Sequence, residues 1–210
     1  MVSLGNVLIL GDSYSTFFGY IPQENAYYYG GGKTETDLRF VEQTWWHQVI
    51  TKTGSNLILN DSWSGSTICN TGYSGPNSPI SFINRFDRFN QKGFFAENHI
   101  DTVLVMGGQN DDWCGAPIGK LKMKYWQSED LLQYAPAICF LMYRIKEDLP
   151  NARIVFVVNS NMKKEIMELQ EEAANIYGVD CIRLQNICKV KGHPNIEGMQ
   201  QISNQILEIL

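Results

Sequence analysis

Val7-Leu8-Ile9-Leu10-Gly11-Asp12-Ser13-Tyr14-Ser15 is the stretch on which the fold turns. Four aliphatic residues end abruptly in a glycine and a run of small polar ones. The length suits a strand, and unbroken apolarity without alternation suits a strand covered on both faces, as in a parallel sheet. Four more segments read the same way: Leu57–Leu59, Thr102–Met106, Ile154–Val158 and a weaker one around Cys181–Leu184.

Between these runs the period changes to that of a helix. Thr44–Thr53 stops at Gly54, a natural C-terminal cap. Phe82, Ile83, Phe86 and Phe89 recur at helical spacing up to Gly93, and a long apolar helix is predicted over about Asp130–Asp148, with Pro136 near its start or kinking it. Met162–Tyr177 closes at Gly178, and Ile196, Met199, Ile202, Ile206 and Ile209 form one stripe of a terminal helix. Strands alternating with helices imply an α/β protein, a three-layer α/β/α sandwich around a five-stranded parallel sheet. One domain over residues 1–210 is the expectation from length. An aromatic and glycine-rich insertion at about 17–40 fits this scheme poorly, and 72–79 is a second turn-rich insertion. Long irregular loops in compact domains are usually functional or mobile.

The bulk properties exclude several classes. The chain is 44% hydrophobic and 19% charged, with a formal charge of −5, which argues against a nucleic-acid partner. No apolar run approaches a membrane span. Residues 1–6 hold no basic segment, so the expectation is either a cytoplasmic protein or a secreted or periplasmic one whose leader has been removed. Five cysteines without CxxC spacing read as reduced, mostly buried small hydrophobes, and the three histidines offer no metal-ligand spacing. No cofactor or metal is expected, and composition does not define an oligomeric state. The Asn60-Asp61-Ser62 sequon is a chance-level match.

Chemistry-bearing residues cluster just beyond the strands. Ser13 follows the first strand at the sheet edge where open α/β folds place ligands, with Gly11 permitting a sharp turn and the Ser13 amide free to face an oxyanion. The same residues also suit a turn in which Asp12 or Ser13 caps a helix. Gly65, in Ser62-Trp63-Ser64-Gly65-Ser66, lies past the second strand, either as an amide donor to the same crevice or as a residue needing φ > 0. Asn110, in Gly107-Gly108-Gln109-Asn110-Asp111-Asp112, lies past the third, with an amide suited to a developing oxyanion or to its own backbone turn. His193 precedes Pro194 and Asn195 at the start of the last helix. His47, within a helix, and His99, in a loop, are weaker candidates.

These four pieces, in this order, resemble the four signature blocks of the SGNH (GDSL-like) hydrolase superfamily: Gly-Asp-Ser, an isolated Gly, Gly-x-Asn-Asp and a late His. The resemblance runs from residue 11 to residue 199 and implies a flavodoxin-like SGNH fold. It further implies Ser13 as nucleophile, with Asp12 supporting it, and His193 as general base and then acid. The oxyanion hole would be the Ser13 and Gly65 N–H groups and the Asn110 side chain.

One position departs from that pattern. The family usually has Asp three residues before the His, and here that residue is Val190. A backbone carbonyl near Val190 or Lys191 would give a Ser–His dyad. Alternatively Asn186 or Asp180 reaches the imidazole, or the protein is a weakened or inactive relative. An intact set of other elements favours a dyad or a displaced partner.

The expected reaction is hydrolysis of a small-molecule or glycan ester. Tyr14, Trp63 and Trp113 are candidate substrate contacts, although aromatics there equally pack the insertion onto the body. Polar residues interleaved with these aromatics point to a small acyl group, such as acetyl, on a carbohydrate or similar polar alcohol. The alternatives are a lysophospholipase or thioesterase acting on longer acyl chains, and a non-catalytic glycan- or ligand-binding relative.

Overall fold

The computed structural model describes residues 2–210. Asn6–Gly11 form the central strand β1, flanked by β2 (Asn56–Ser62) on one side and β3 (Thr102–Gly107) on the other. Beyond β3 come β4 (Arg153–Val158) and β5 (Asp180–Arg183), so the order is β2-β1-β3-β4-β5 with every pair parallel. The chain leaves β1 toward β2 and then crosses back to β3. The carboxyl ends of β1 and β3 therefore flank the switch point where open α/β sheets form a crevice.

Alternation of side chains across β1 divides the core in two. Leu8 and Leu10, with Val103, Val105, Phe156 and Val158, meet α2 (Phe82–Gln91), α3 (Tyr134–Asp148) and α4 (Lys164–Tyr177). Val7 and Ile9, with Leu104, Met106, Val155 and Val157, meet α1 (Trp45–Thr53) and α5 (Ile196–Ile209). The expected three-layer α/β sandwich is the observed one. The long helix starts later than the sequence predicts. Asp130–Leu132 form a separate 3-10 turn, and Pro136 falls in the first turn of α3, where its missing N–H has no helical partner to lose.

Gly11 has a different reason from the one its position suggests. It does not need positive φ. A Cβ there would lie 2.6 Å from Ser15 Cβ, so the turn carrying Ser13 closes tightly over it. The insertion is not a free flap: it forms no helix or strand before Val41, yet Phe17, Tyr29 and Leu38 are buried in the α1/α5 core. Asn60 is buried in β2, where its Nδ2 donates to Ser15 O at 2.9 Å, so the sequon residue faces the interior. Among the described residues, no helix is long and apolar enough to cross a membrane.

One ion pair locks the carboxyl ends of β1 and β2 together. Arg85 on α2 is 1% exposed, and its Nη1 lies 2.6 Å from Asp61 Oδ2 while also donating to Asp61 O. Its Nη2 donates to Gly11 O at 3.0 Å and to Ser66 Oγ at 3.2 Å. Removing one partner of a buried pair strands the other charge. Arg85→Met is therefore expected to lower unfolding free energy by about 3–5 kcal/mol in urea titration, with Asp61→Asn in the same background recovering part of it. A loss below about 1 kcal/mol would contradict this account.

Candidate active site

The four sequence blocks arrive at one end of the sheet on different elements. Asp12 begins a single 3-10 turn, Ser13–Ser15, and its Oδ1 accepts from Tyr14 N at 3.0 Å. This turn presents Ser13 directly beyond β1. Gly65 (φ +83°) lies beyond β2, and Asn110 lies in the short helix Gln109–Trp113 beyond β3. Among the described residues, the Ser13 and Gly65 N–H groups donate to no other protein group. Asn110 is held on both sides of its amide: Nδ2 donates to Ser66 O at 2.9 Å, and Oδ1 accepts from Tyr73 OH at 3.0 Å. One Nδ2 hydrogen remains uncommitted.

His193 reaches the site on a minimal hairpin. Lys189–Val190 pair antiparallel with His193–Pro194, and the connecting Lys191 and Gly192 have φ of +50° and +81°. Positive φ at both central residues marks a type I′ turn, which favours glycine at its second position. The hairpin puts His193 Nε2 2.9 Å from Ser13 Oγ. The other ring nitrogen, Nδ1, lies 3.3 Å from Lys191 O, a long hydrogen bond from within the same turn. With Nδ1–H directed at that carbonyl, Nε2 is left as the acceptor for the Ser13 hydroxyl.

The remaining candidates separate clearly. Asp180 pairs with Arg153 at 2.6 Å where β5 begins, and Asn186 has φ +52° in the loop after it; neither bonds to His193. Val190 is half-exposed and contributes only its strand pairing with His193. Tyr14 takes the packing place of its two readings: it is 1% exposed, and its OH donates to Gly192 O at 2.5 Å. Trp113 is 44% exposed with its ring 5.6 Å from the imidazole, and Trp63 is half-buried. His47 contacts Thr51 on α1, and His99 pairs with Asp101 at 3.0 Å before β3; neither approaches Ser13.

Several site residues escaped the sequence reading. Asp111 accepts from Ile68 N and Cys69 N at 2.9 and 3.1 Å, fastening the Gly65 segment to the Asn110 helix. Its place beside Asn110 in the block was the available signal. Tyr28, from the insertion, stacks on His193 with ring centroids 3.6 Å apart and planes 7° from parallel. Lys189 sits 5.2 Å over the Tyr14 ring and donates to Ser160 O at 2.7 Å.

Burial governs the electrostatics. It pushes the Asp12 carboxyl up to about 7 and Asp111 to about 6, and brings Lys189 down to about 8. It also lowers the His193 imidazole below its ordinary value. The bond to Lys191 O opposes that shift and the charge of Lys189 adds to it. Among the described residues, no group of three or more His, Cys, Asp or Glu side chains is arranged to hold a metal ion.

The serine–imidazole pair lies beside free amide donors at the carboxyl edge of the parallel sheet, and the comparisons assign this chain to the carboxylic ester hydrolases. It belongs to the GDSL-like lipase/acylhydrolase family, whose model matches residues 5–210. A GDSL-like lipase from Bacteroides ovatus is 42% identical, with a TM-score of 0.90 over 98% of this chain and 97% of that one. One from Bacteroides uniformis is also 42% identical, with a TM-score of 0.90 over 97% and 94%. The acetyl xylan esterase Est2A from Butyrivibrio proteoclasticus shares the fold at 16% identity and a TM-score of 0.60, over 99% of this chain and 63% of that one. No curated protein matches the sequence.

Because burial dominates at His193, its imidazole is expected to titrate in solution below 6.5. A two-dimensional NMR pH titration, with the resonance identified by its loss in His193→Gln, checks this; a midpoint at or above 6.5 contradicts it.

Proposed function

We propose that the protein removes a small acyl group, acetyl in the first instance, from a carbohydrate or similar polar alcohol by a Ser13–His193 acyl-enzyme mechanism. The observation that carries this reading is the 2.9 Å contact between Ser13 Oγ and His193 Nε2 in a ring whose Nδ1 faces a carbonyl. In the first half-reaction Nε2 takes the Ser13 proton while Oγ attacks the ester carbonyl. The oxyanion forms beside the Ser13 and Gly65 N–H groups and the Asn110 amide. The imidazolium then protonates the departing alcohol as the tetrahedral adduct collapses to acyl-Ser13. Water, deprotonated by His193, attacks that ester, and Ser13 regains its proton as the carboxylic acid leaves.

The substrate side rests on two supports. Trp113 offers a partly exposed indole face beside His193, the kind of surface on which a sugar ring stacks. A cavity of about 620 Å³ is lined by residues between Phe18 and Lys33, and its lining includes none of Ser13, Gly65, Asn110 or His193. The likeness to an acetyl xylan esterase agrees in fold and suggests which esters to try first.

Hydrolysis of p-nitrophenyl acetate, butyrate and octanoate, together with acetate release from acetylated xylo-oligosaccharides, tests the proposal. Activity is expected to be highest on acetyl esters and to vanish in Ser13→Ala. Asn110→Ala is expected to lower kcat by about 10²–10³, the usual cost of one oxyanion donor. A preference for octanoate would instead indicate a lipase-like enzyme. A folded wild type that binds xylo-oligosaccharides but releases no acetate would indicate a binding protein.

A further inference from the structure

We propose that Tyr28 is a positioning residue for His193, and that through it the 17–40 insertion takes over the orienting task left vacant by Val190. The inference deepens the Ser13–His193 reading and rests on it. An imidazole acting as base needs its plane fixed and its flip state fixed. A carboxylate on Nδ1 does both, whereas the Lys191 carbonyl, neutral and 3.3 Å away, restrains the flip only weakly. The plane is fixed by something else.

Tyr28 covers one face of the imidazole at 3.6 Å and 7°. Tyr14 meets it edge-on at 5.4 Å, and Trp113 approaches at 5.6 Å and 55°, so the ring is enclosed on several sides and only Tyr28 lies parallel to it. The Tyr28 backbone is tied to the nucleophile as well. Its N–H donates to Thr16 Oγ1 at 2.9 Å, and Thr16 Oγ1–H donates to Ser13 O at 3.0 Å. One residue thus refers the base to the turn that carries the nucleophile.

The insertion also grips the backbone on the far side of His193. Tyr29 OH donates to Pro194 O at 2.8 Å, and the Asp37 carboxylate accepts from Ile196 N at 3.2 Å at the head of α5. A ring that served only to cover the core would have no need to lie parallel to the imidazole, and Tyr28 itself is only half-buried. Stacking acts on the ring plane at close range, and misplacement of a reacting group by about 1 Å can cost 10²-fold in rate.

The test compares wild type, Tyr28→Phe and Tyr28→Leu, with Tyr28→Gln replacing the leucine variant should that fail to fold. For p-nitrophenyl acetate, Tyr28→Leu is expected to lose about 10- to 100-fold in kcat with KM within about threefold. Tyr28→Phe is expected to stay near wild type, because the stack needs the ring and not the hydroxyl. In parallel, ¹⁵N NMR of the His193 ring is read without turnover. A ring held in plane keeps Nδ1–H on Lys191 O, so wild type and Tyr28→Phe show one neutral tautomer with Nδ1 protonated, whereas a ring free to tilt off that carbonyl in Tyr28→Leu shows a mixture. A leucine variant that keeps the single tautomer overturns the proposal, whatever its kcat. A wild type without hydrolysis overturns the esterase mechanism alone. In that event the tautomer comparison decides on Tyr28, a mixture in the leucine variant supporting its role and an unchanged tautomer removing it.

Discussion

The buried Arg85 fork is the constraint from which the site geometry follows. A parallel sheet delivers strand ends to one edge, but it does not specify how the loops beyond them converge. Arg85 does so from α2, binding Gly11 O on β1, Asp61 on β2 and Ser66 Oγ beside Gly65. A guanidinium is suited to this work because its planar set of donors reaches several acceptors at fixed angles. Asp111 completes the frame from the β3 side through Ile68 N and Cys69 N. The segments that carry Ser13, Gly65 and Asn110 are thereby held by buried charged groups, the kind of fixed frame that the proposed oxyanion donors require.

His193 stands outside that frame. It is carried by a two-residue ribbon whose tight turn includes a lysine at positive φ, a conformation unfavourable for a side chain bearing Cβ. Such a ribbon has little stability of its own. Its position is borrowed from Tyr14, which holds Gly192 O, and from Tyr29, which holds Pro194 O. Two tyrosine hydroxyls, one from the Ser13 turn and one from the insertion, therefore bracket the histidine on its own backbone.

The fold was legible because it is written in local pattern. Apolar runs marked the strands, most weakly at Cys181–Leu184, and three blocks fell directly beyond β1, β2 and β3; their order, with the late histidine, carried the resemblance that groups Ser13, Gly65, Asn110 and His193. What escaped was whatever depends on tertiary approach. Arg85 reads as an ordinary polar residue of an amphipathic helix until its burial is seen. Tyr28 belongs to a tyrosine triplet in which nothing local separates the ring that stacks on the base from the one buried beside it. Asp180 was the nearest upstream acid and so a reasonable orienter, but β5 runs parallel to the others and leaves it at the opposite edge, paired with Arg153. For Tyr14 the sequence left substrate contact and packing open, and the turn directs its ring inward, where it is 1% exposed.

A carbonyl in place of a carboxylate changes the energetics of the base as well as its orientation. In the proposed reaction a carboxylate would supply a full negative charge to the imidazolium formed as Ser13 attacks, whereas a carbonyl supplies only a dipole. Lys189 further disfavours the charged ring, and burial disfavours it most of all. Together these shift the His193 imidazole toward its neutral form relative to an exposed one. They also raise the cost of forming imidazolium in the transition state. The face of Tyr28 works in the opposite direction, since the π-cloud of a phenol attracts a cation lying over it without introducing another charge to be desolvated. On the proposed reading the stacked tyrosine serves geometry and charge at once, and it connects the valine at residue 190 with an aromatic insertion some 160 residues earlier in the same chain.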